Sequence, residues 1–189
     1  MPKAGVFIDG GFFNKVLADL GNPSIDYAKF SDNLCDSNER LRSYYYDCLP
    51  FRSEPPTPDE QARYSNRQSF INKLELLPRF EVKLGRLAKR GKDQRGKDIF
   101  QQKRVDVLFS VDIVRMSWAK LIDRAILVTG DSDFVPAVAA AKDTGVLVEL
   151  YYYRSPNQWG PRTHEELIKA VDERKPIDQA LINNSLLTP

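Results

Sequence analysis

Residues 125–153, AILVTGDSDFVPAVAAAKDTGVLVELYYY, decide the fold class of this 189-residue chain. The apolar run at 125–128 predicts a strand buried on both faces, which is typical of a parallel sheet. A helix rich in small residues is expected from Asp133 through Lys142, and VLVELYYY predicts a second strand. Strand, helix and strand in this order form a βαβ unit, and its crossover is expected to be right-handed.

The same alternation of strands and helices extends on the amino-terminal side of this unit. AGVFIDGG predicts a strand over residues 4–9, and the tyrosine-rich LRSYYYDCL predicts another over residues 41–49. The alternation predicts an α/β fold, namely a three-layer α/β/α sandwich with a mainly parallel sheet. We expect one domain over residues 1–175 and a C-terminal tail over residues 176–189, whose weak pattern predicts loose packing.

Composition places the chain among ordinary globular proteins, with 42% hydrophobic and 29% charged residues. The longest apolar runs are too short to span a bilayer, and the N-terminus enters a strand at once, so we expect a cytoplasmic protein with no membrane partner. Cys35 and Cys48 do not make a disulfide scaffold and are expected to be buried thiols. The sequence leaves the oligomeric state open, a homo-oligomer included.

Positive charge is concentrated between Arg86 and Arg104. This segment has eight basic and two acidic residues, which leaves 20 basic and 24 acidic residues in the rest of the chain. Two strand-like runs around AKRGKDQRGKD predict a basic hairpin insertion at about residues 80–103. Such a stripe is typical of a polyanion binder, and the alternative is a solvated hairpin tip. The candidate nucleic-acid-binding residues are Lys89, Arg90, Lys92, Arg95, Lys97, Lys103 and Arg104.

Aspartates stand at or near the ends of two predicted strands and at the start of a helix. Asp9 ends the first strand, Asp131 and Asp133 follow the strand at 125–130, and Asp106 begins the helix before it. Open α/β sheets bind ligands at the carboxyl ends of their strands, and converging carboxylates repel one another unless a cation neutralises them. The pattern predicts a divalent-metal site and metal-assisted phosphodiester hydrolysis. Taken singly, each aspartate could instead cap a helix.

Two further polar residues have competing interpretations. Asp112 lies six residues after Asp106, roughly 120° around the helix, so both cannot face one ion equally well. Asp112 is therefore a candidate metal ligand, a residue that contacts a metal ligand without touching the ion, or an ion-pair partner for a nearby arginine. His164 is the only histidine, and a capping or surface role is favoured over that of a general base.

FIDGG (7–11), KRVDVLFSVD (103–112) and LVTGDSDFVPAV (127–138) resemble the NYN domain, a branch of the PIN-like ribonucleases related to the flap-nuclease superfamily. The resemblance implies a PIN-like parallel sheet, an acidic pocket that holds Mg²⁺ or Mn²⁺, and cleavage of single-stranded or structured RNA. It carries catalytic and metal-binding roles over to Asp9, Asp106, Asp131 and Asp133, and a further metal-binding role to Asp112.

The chain departs from the family pattern at one position. Many members have an asparagine three residues after the first aspartate, where this chain has Phe12. The nearest asparagine, Asn14, is expected to face elsewhere on the helix. The departure removes an amide that many members place close to the metal site.

Three functions are compatible with these residues. The first is a metal-dependent endoribonuclease, and the second is a catalytically weak regulatory module of the same fold that binds RNA or protein. The third is a metal-dependent phosphatase or phosphotransferase with an aspartate nucleophile. That chemistry calls for D-x-D at the first strand, whereas here D-x-D occurs only at residues 131–133, so the third ranks last.

Overall fold

The structure is a computed structural model that describes residues 1–92 and 98–187, and of residues 88, 89, 92 and 98–103 it describes the backbone alone. The strands are β1 (Lys3–Asp9), β2 (Glu39–Cys48), β3 (Phe80–Lys92), β4 (Asp98–Lys103), β5 (Arg124–Val128), β6 (Leu147–Tyr152) and β7 (Glu173–Pro176). The helices are α1 (Gly10–Asp19), α2 (Tyr27–Cys35), α3 (Pro58–Glu75), α4 (Val105–Trp118), α5 (Val135–Lys142), α6 (Glu165–Ala170) and α7 (Gln179–Asn183). One 3-10 turn, Ser132–Phe134, leads into α5.

The strands form one sheet in the order β4-β3-β2-β1-β5-β6-β7. Six neighbouring strands, from β3 to β7, run parallel, and of the described strands β4 alone pairs antiparallel, with β3. The predicted mainly parallel α/β sheet is therefore confirmed. Winding reverses at β1, because β2 lies on one side of it and β5 on the other. Such a switch point leaves a crevice at the carboxyl ends of the central strands, where ligands bind in open α/β sheets.

Alternate residues of the central strands enter two separate hydrophobic clusters. Val6 and Ile8 pack with side chains of α1, α2 and α3, while Phe7, between them, packs with side chains of α4, α5 and α6. Successive side chains of a strand point to opposite faces, so the two clusters lie on opposite faces of the sheet. Helices therefore cover both faces, which explains why the strands read as continuous apolar runs. Cys35 and Cys48 are buried thiols, as expected.

A fully buried carboxylate ties the last strands to β5. Glu149 on β6 has none of its surface exposed, and its Oε2 lies 2.5 Å from Arg124 Nη1 on β5. Its Oε1 lies 2.8 Å from Lys175 Nζ on β7. We call these three residues the Glu149 cluster. Both carboxylate oxygens are bound by a cation, which is what allows the charge to be buried.

The carboxyl-terminal segment differs from expectation. The sequence did not predict β7, which adds an edge strand beside β6. Loose packing after Pro176 was also a wrong expectation for residues 176–187, because Ile177 and Ile182 are buried in the same cluster as Val6. In the described part of the chain, no helix is long and apolar enough to cross a membrane.

Candidate acidic site

Three aspartates from distant parts of the chain line one pocket at the carboxyl edge of the sheet. Asp9 is the last residue of β1, Asp131 follows β5 after two residues, and Asp106 lies in the first turn of α4. The pocket has a volume of about 450 Å³. Its lining comprises Asp9, Gly11, Phe12, Lys15, Asp106, Gly130, Asp131 and His164. The structure thus brings together three of the four predicted catalytic aspartates at the switch point between β1 and β5.

Two of these aspartates also cap helices. Asp9 Oδ1 accepts a hydrogen bond of 3.1 Å from the backbone N–H of Phe12 at the start of α1. Asp9 Oδ2 accepts one of 3.1 Å from the hydroxyl of Thr129, a buried residue next to β5. Asp131 Oδ1 accepts one of 3.0 Å from the N–H of Asp133. The capping role weighed from the sequence is confirmed for both, and these bonds hold the carboxylates at the rim of the pocket.

The pocket carboxylates repel one another. Burial raises the pKa of Asp9, hydrogen bonds from Phe12 and Thr129 oppose that rise, and the charge of Asp106 raises the pKa further. The pKa of Asp106 is raised by burial and then by the charges of Asp131 and Asp133. Raised values arise where a carboxylate loses water and gains negative neighbours. The arrangement is therefore electrostatically unfavourable without a bound positive charge.

Two residues of the pocket were missed as site residues from the sequence. Lys15 follows Gly11 by four residues on α1, a spacing that puts both on one helix face and could have been noticed. His164 precedes α6, and its backbone N–H donates to the carbonyl of Gly130 at 2.9 Å. That contact joins residues more than thirty positions apart, so no local sequence pattern predicts that His164 lies in the pocket. Of the expected capping or surface role, the surface position is observed: His164 is exposed at the N-cap position of α6, and its side chain makes no cap hydrogen bond.

Phe12 fills the position where many NYN members carry asparagine. Its ring lies against Gly130, where an added Cβ would stand 2.7 Å from Phe12 Cδ2, far inside normal contact. A side chain at position 130 would therefore force the Phe12 ring to shift. Asn14 lines a different cavity, beside the hydroxyl of Tyr45, and so faces away from the acidic pocket as expected.

Asp112 is not brought into the acidic pocket. It is buried, its Oδ2 accepts a hydrogen bond of 3.0 Å from the hydroxyl of Tyr46, and its Oδ1 lies 3.2 Å from Arg115 Nη2. Lys83 adds a second cation at 3.7 Å. Of the interpretations weighed from the sequence, the ion pair with an arginine is the one observed, because the helix turns Asp112 away from Asp106. Asp133 is exposed and lines a neighbouring apolar groove instead.

The candidate nucleic-acid-binding residues lie mostly beyond what the structure describes. Arg95 and Lys97 lie outside the described residues, and the side chains of Lys89, Lys92 and Lys103 are not described. Arg90 is exposed on β3. Arg104 is exposed directly before α4, with a left-handed φ of 77°. The basic arm therefore stays a prediction, although its antiparallel β3–β4 pairing is present.

The donor chemistry of the pocket fits a hard divalent cation. Within residues 1–92 and 98–187, no group of three or more His, Cys, Asp or Glu side chains stands close enough to enclose a metal ion unaided. Mg²⁺ is usually held by one or two carboxylates, with waters and substrate phosphate completing its shell. Asp9, Asp106 and Asp131 supply oxygen ligands of that kind, and their mutual repulsion would be relieved by such an ion.

Comparison with known proteins adds a family and a fold. The family model of the NYN domain matches residues 3–178. A protein of unknown function from Vibrio parahaemolyticus has a similar crystal structure, with a TM-score of 0.60, 20% identity, and coverage of 98% of this chain and 96% of that chain. The CheB methylesterase catalytic domain from Thermotoga maritima aligns with a TM-score of 0.39 and 13% identity over 96% of this chain and 97% of that chain, too distant to carry an argument. No curated protein matches the sequence.

Proposed function

The chain belongs to the NYN domain family, a family of predicted ribonucleases, and we propose that it is an endoribonuclease that requires Mg²⁺ or Mn²⁺. The observation that carries this proposal is the convergence of Asp9, Asp106 and Asp131 in one pocket at the carboxyl edge of the sheet. Each comes from a different element, so local capping alone does not account for their meeting. Family membership suggests the reaction class, and the pocket supplies the place for it.

The carboxylates would hold the cation beside the scissile phosphate. When bound, the ion would activate a water and offset charge on the phosphoryl oxygens. Asp9 is preset for this role by the Thr129 hydroxyl and the Phe12 N–H, which fix the direction of its oxygens. Asp106 has the more open position, and its pKa is raised by burial and by the negative charges of Asp131 and Asp133. Asp133 would act at longer range, through its charge on Asp106.

Lys15 and His164 are the two basic residues that line the pocket. Lys15 would bind a nonbridging phosphate oxygen and orient the phosphate towards the carboxylates. The His164 imidazole also lines the pocket and could give a proton to the leaving oxygen as a general acid. This assignment gives His164 a role that the sequence alone did not favour.

RNA is the substrate class that the family membership indicates. The basic segment from Arg86 to Arg104 leads directly into α4 and hence into Asp106. Binding through that segment would be largely independent of sequence and sensitive to salt, because it neutralises backbone phosphates.

Cleavage of a labelled single-stranded RNA in Mg²⁺ or Mn²⁺ tests the proposal. We expect metal-dependent cleavage by the wild type and its loss in Asp106→Asn and Asp131→Asn. Asp143→Asn is the matched control, because Asp143 is exposed at the opposite end of α5 from the pocket. Equal cleavage by the pocket variants and the control would overturn the catalytic assignment.

The second candidate function is an RNA- or protein-binding module with little catalytic power. The observation that favours it is Phe12, whose ring lies against Gly130 where many family members present a polar amide. This candidate predicts that the wild type leaves the RNA intact at every metal concentration in the same experiment.

A further inference from the structure

A second cavity adjoins the acidic pocket and is not used by the proposed chemistry. It has a volume of about 670 Å³ and shares Gly11 with the acidic pocket. It lies beyond the carboxyl end of β2, between Asn14 of α1 and the α3 residues Arg63, Asn66 and Arg67. We call it the flanking groove. The two cavities thus adjoin at Gly11.

The carboxylate that lines the flanking groove is already neutralised. Asp47 is buried and forms an ion pair with Arg67. Arg67 also donates to the hydroxyl of Tyr45 at 3.2 Å, and its guanidinium lies 4.7 Å from the centre of the Phe70 ring. These contacts hold Arg67 in place between α3 and the sheet. Because its positive charge is paired with Asp47, Arg67 is not free to bind a ligand.

Arg63 has no such partner in the described part of the chain. It lies one turn before Arg67 on α3 and is exposed. Its only described hydrogen bond goes to the carbonyl of Asp59, at 3.4 Å, and no carboxylate among residues 1–92 and 98–187 forms an ion pair with it. With Asp47 neutralised, Arg63 leaves the groove with a net positive charge. The groove should accordingly attract an anion, whereas the adjoining acidic pocket should attract a cation.

The remaining walls suit a nucleotide better than a simple anion. Asn66 is exposed and Asn14 half-buried, and each amide carries both donors and an acceptor. Pro50 and Phe70 give the groove an apolar side. A phosphate-binding cation, base-reading amides and an apolar surface within one groove are the features that recognise unstacked nucleotides.

We propose that the flanking groove binds the nucleotides next to the scissile phosphate of a single-stranded RNA, with Arg63 on a backbone phosphate. The proposal rests on the proposed ribonuclease function and adds to it the path of the substrate. The strand would cross Gly11 from the acidic pocket into the groove. Asn14 and Asn66 would contact the edge of a base, which could give a mild preference among bases at that position.

The test measures binding of a fluorescein-labelled, unstructured 12-nucleotide RNA by anisotropy in EDTA, where no metal-dependent cleavage occurs. Arg63→Gln should weaken binding by about 5–10-fold, as expected for loss of one charge-assisted phosphate contact. It should also lower the slope of log affinity against log salt by about 0.7. Asn66→Asp, which adds a negative charge to the groove, should weaken binding as well.

Lys73→Gln is the matched control. It removes one positive charge from an exposed position of the same helix, about 15 Å further along the helix axis. We expect it to change the affinity by less than about 2-fold, the effect of long-range charge alone. If Arg63→Gln and Asn66→Asp bind like the wild type, or only as weakly as Lys73→Gln, the groove is not the RNA path.

The design keeps this proposal separate from the ribonuclease proposal. Asp106→Asn should bind the RNA in EDTA at least as tightly as the wild type, because it removes a negative charge from the adjoining pocket. Weaker binding in the groove variants together with an inert wild type would retain the groove and reject the nuclease. Cleavage by the wild type with unchanged binding in the groove variants would do the reverse.

Discussion

The acidic pocket and the Glu149 cluster differ in the charges that surround their carboxylates: the cluster pairs its carboxylate with cations, whereas the pocket places carboxylates near one another. Glu149 is fully buried, yet Arg124 and Lys175 bind its two oxygens at 2.5 and 2.8 Å. The pocket is more open, yet its carboxylates face one another, and the pKa values of Asp9 and Asp106 are raised. The fold thus pairs with cations the charge that it buries for structure, whereas at its switch point it brings negative charges together. The second arrangement reduces stability and is understandable as a site for a cation.

Helix α4 contains the same contrast within two turns. Asp112 is buried and bound by Tyr46 and Arg115, whereas Asp106 lines the pocket among other carboxylates. The difference between paired and clustered carboxylates therefore does not come from the helix or from the residue type, because both residues are aspartates of α4. It depends on which face of the helix each aspartate occupies.

The largest expected effect separates the two regions by activity. Because loss of an outer partner of a metal ligand already costs about 10–100-fold, Asp106→Asn should lower kcat/KM for RNA cleavage by at least about 100-fold. Glu149→Gln should leave kcat/KM per folded molecule unchanged. Initial rates at saturating Mn²⁺, normalised to the folded fraction from circular dichroism, check this. Equal losses of kcat/KM in both variants would contradict the functional difference between the acidic pocket and the Glu149 cluster.

The next effect concerns stability. Glu149→Gln should lower the free energy of unfolding by about 2–3 kcal/mol, because Arg124 and Lys175 lose their buried anion. The figure is below the value of about 3–5 kcal/mol for fully buried pairs, since the side chains of Arg124 and Lys175 are 19% and 37% exposed. Urea unfolding measures it. Glu173→Gln is the control, because Glu173 also pairs with Arg124, at 3.1 Å, but is exposed, and should cost less than about 1 kcal/mol.

A smaller effect tests how Asp9 is oriented. Thr129→Val keeps the buried shape but removes the hydroxyl that donates to Asp9 Oδ2 at 3.1 Å. Outer partners of metal ligands contribute about 10–100-fold in affinity, and we expect the lower end, about 10-fold weaker Mn²⁺ binding. Thr144→Val removes a hydroxyl that donates to the carbonyl of Ala141 and should leave the affinity unchanged. Unaltered Mn²⁺ binding in Thr129→Val would mean that Asp9 is not a ligand.

The smallest effect is a pH dependence of stability without metal. The pKa of Asp106 is raised above 3.8 in the folded protein, so its ionisation costs stability at neutral pH, and the cost vanishes as the pH falls towards 3.8. Asp106→Asn should thus be more stable than the wild type at pH 7, by less than about 1 kcal/mol after solvent screening. The difference should shrink towards pH 4. Unfolding curves at pH 7 and 4.5 test the sign, and a less stable variant at pH 7 would contradict it.

The sequence predicted the parts of the fold and site that depend on local pattern. Apolar runs identified the central parallel strands, and aspartates at their ends located the pocket, because strand ends of a parallel sheet meet at one edge. The helical repeat by itself separates Asp112 from Asp106, because six residues turn the helix to a position roughly 120° short of two full turns.

What the sequence missed depends on contacts between distant segments. His164 enters the pocket through a backbone bond to Gly130, and β7 exists because it pairs with β6. Ile177 and Ile182 reach the core from a segment with little pattern of its own. Contacts between residues far apart in the chain produce no periodic pattern in the sequence, so these features could be found only from the structure.

Calorimetric titration of Mn²⁺ into the metal-free protein tests the central claim most directly. The two aspartates of α4 provide the matched pair, since Asp106→Asn alters the pocket and Asp112→Asn alters the ion pair on the same helix. We predict saturable binding to the wild type and to folded Asp112→Asn, and binding at least about 10-fold weaker to Asp106→Asn. A wild type without saturable binding, or an Asp106→Asn variant that binds as tightly as the wild type, would contradict the account.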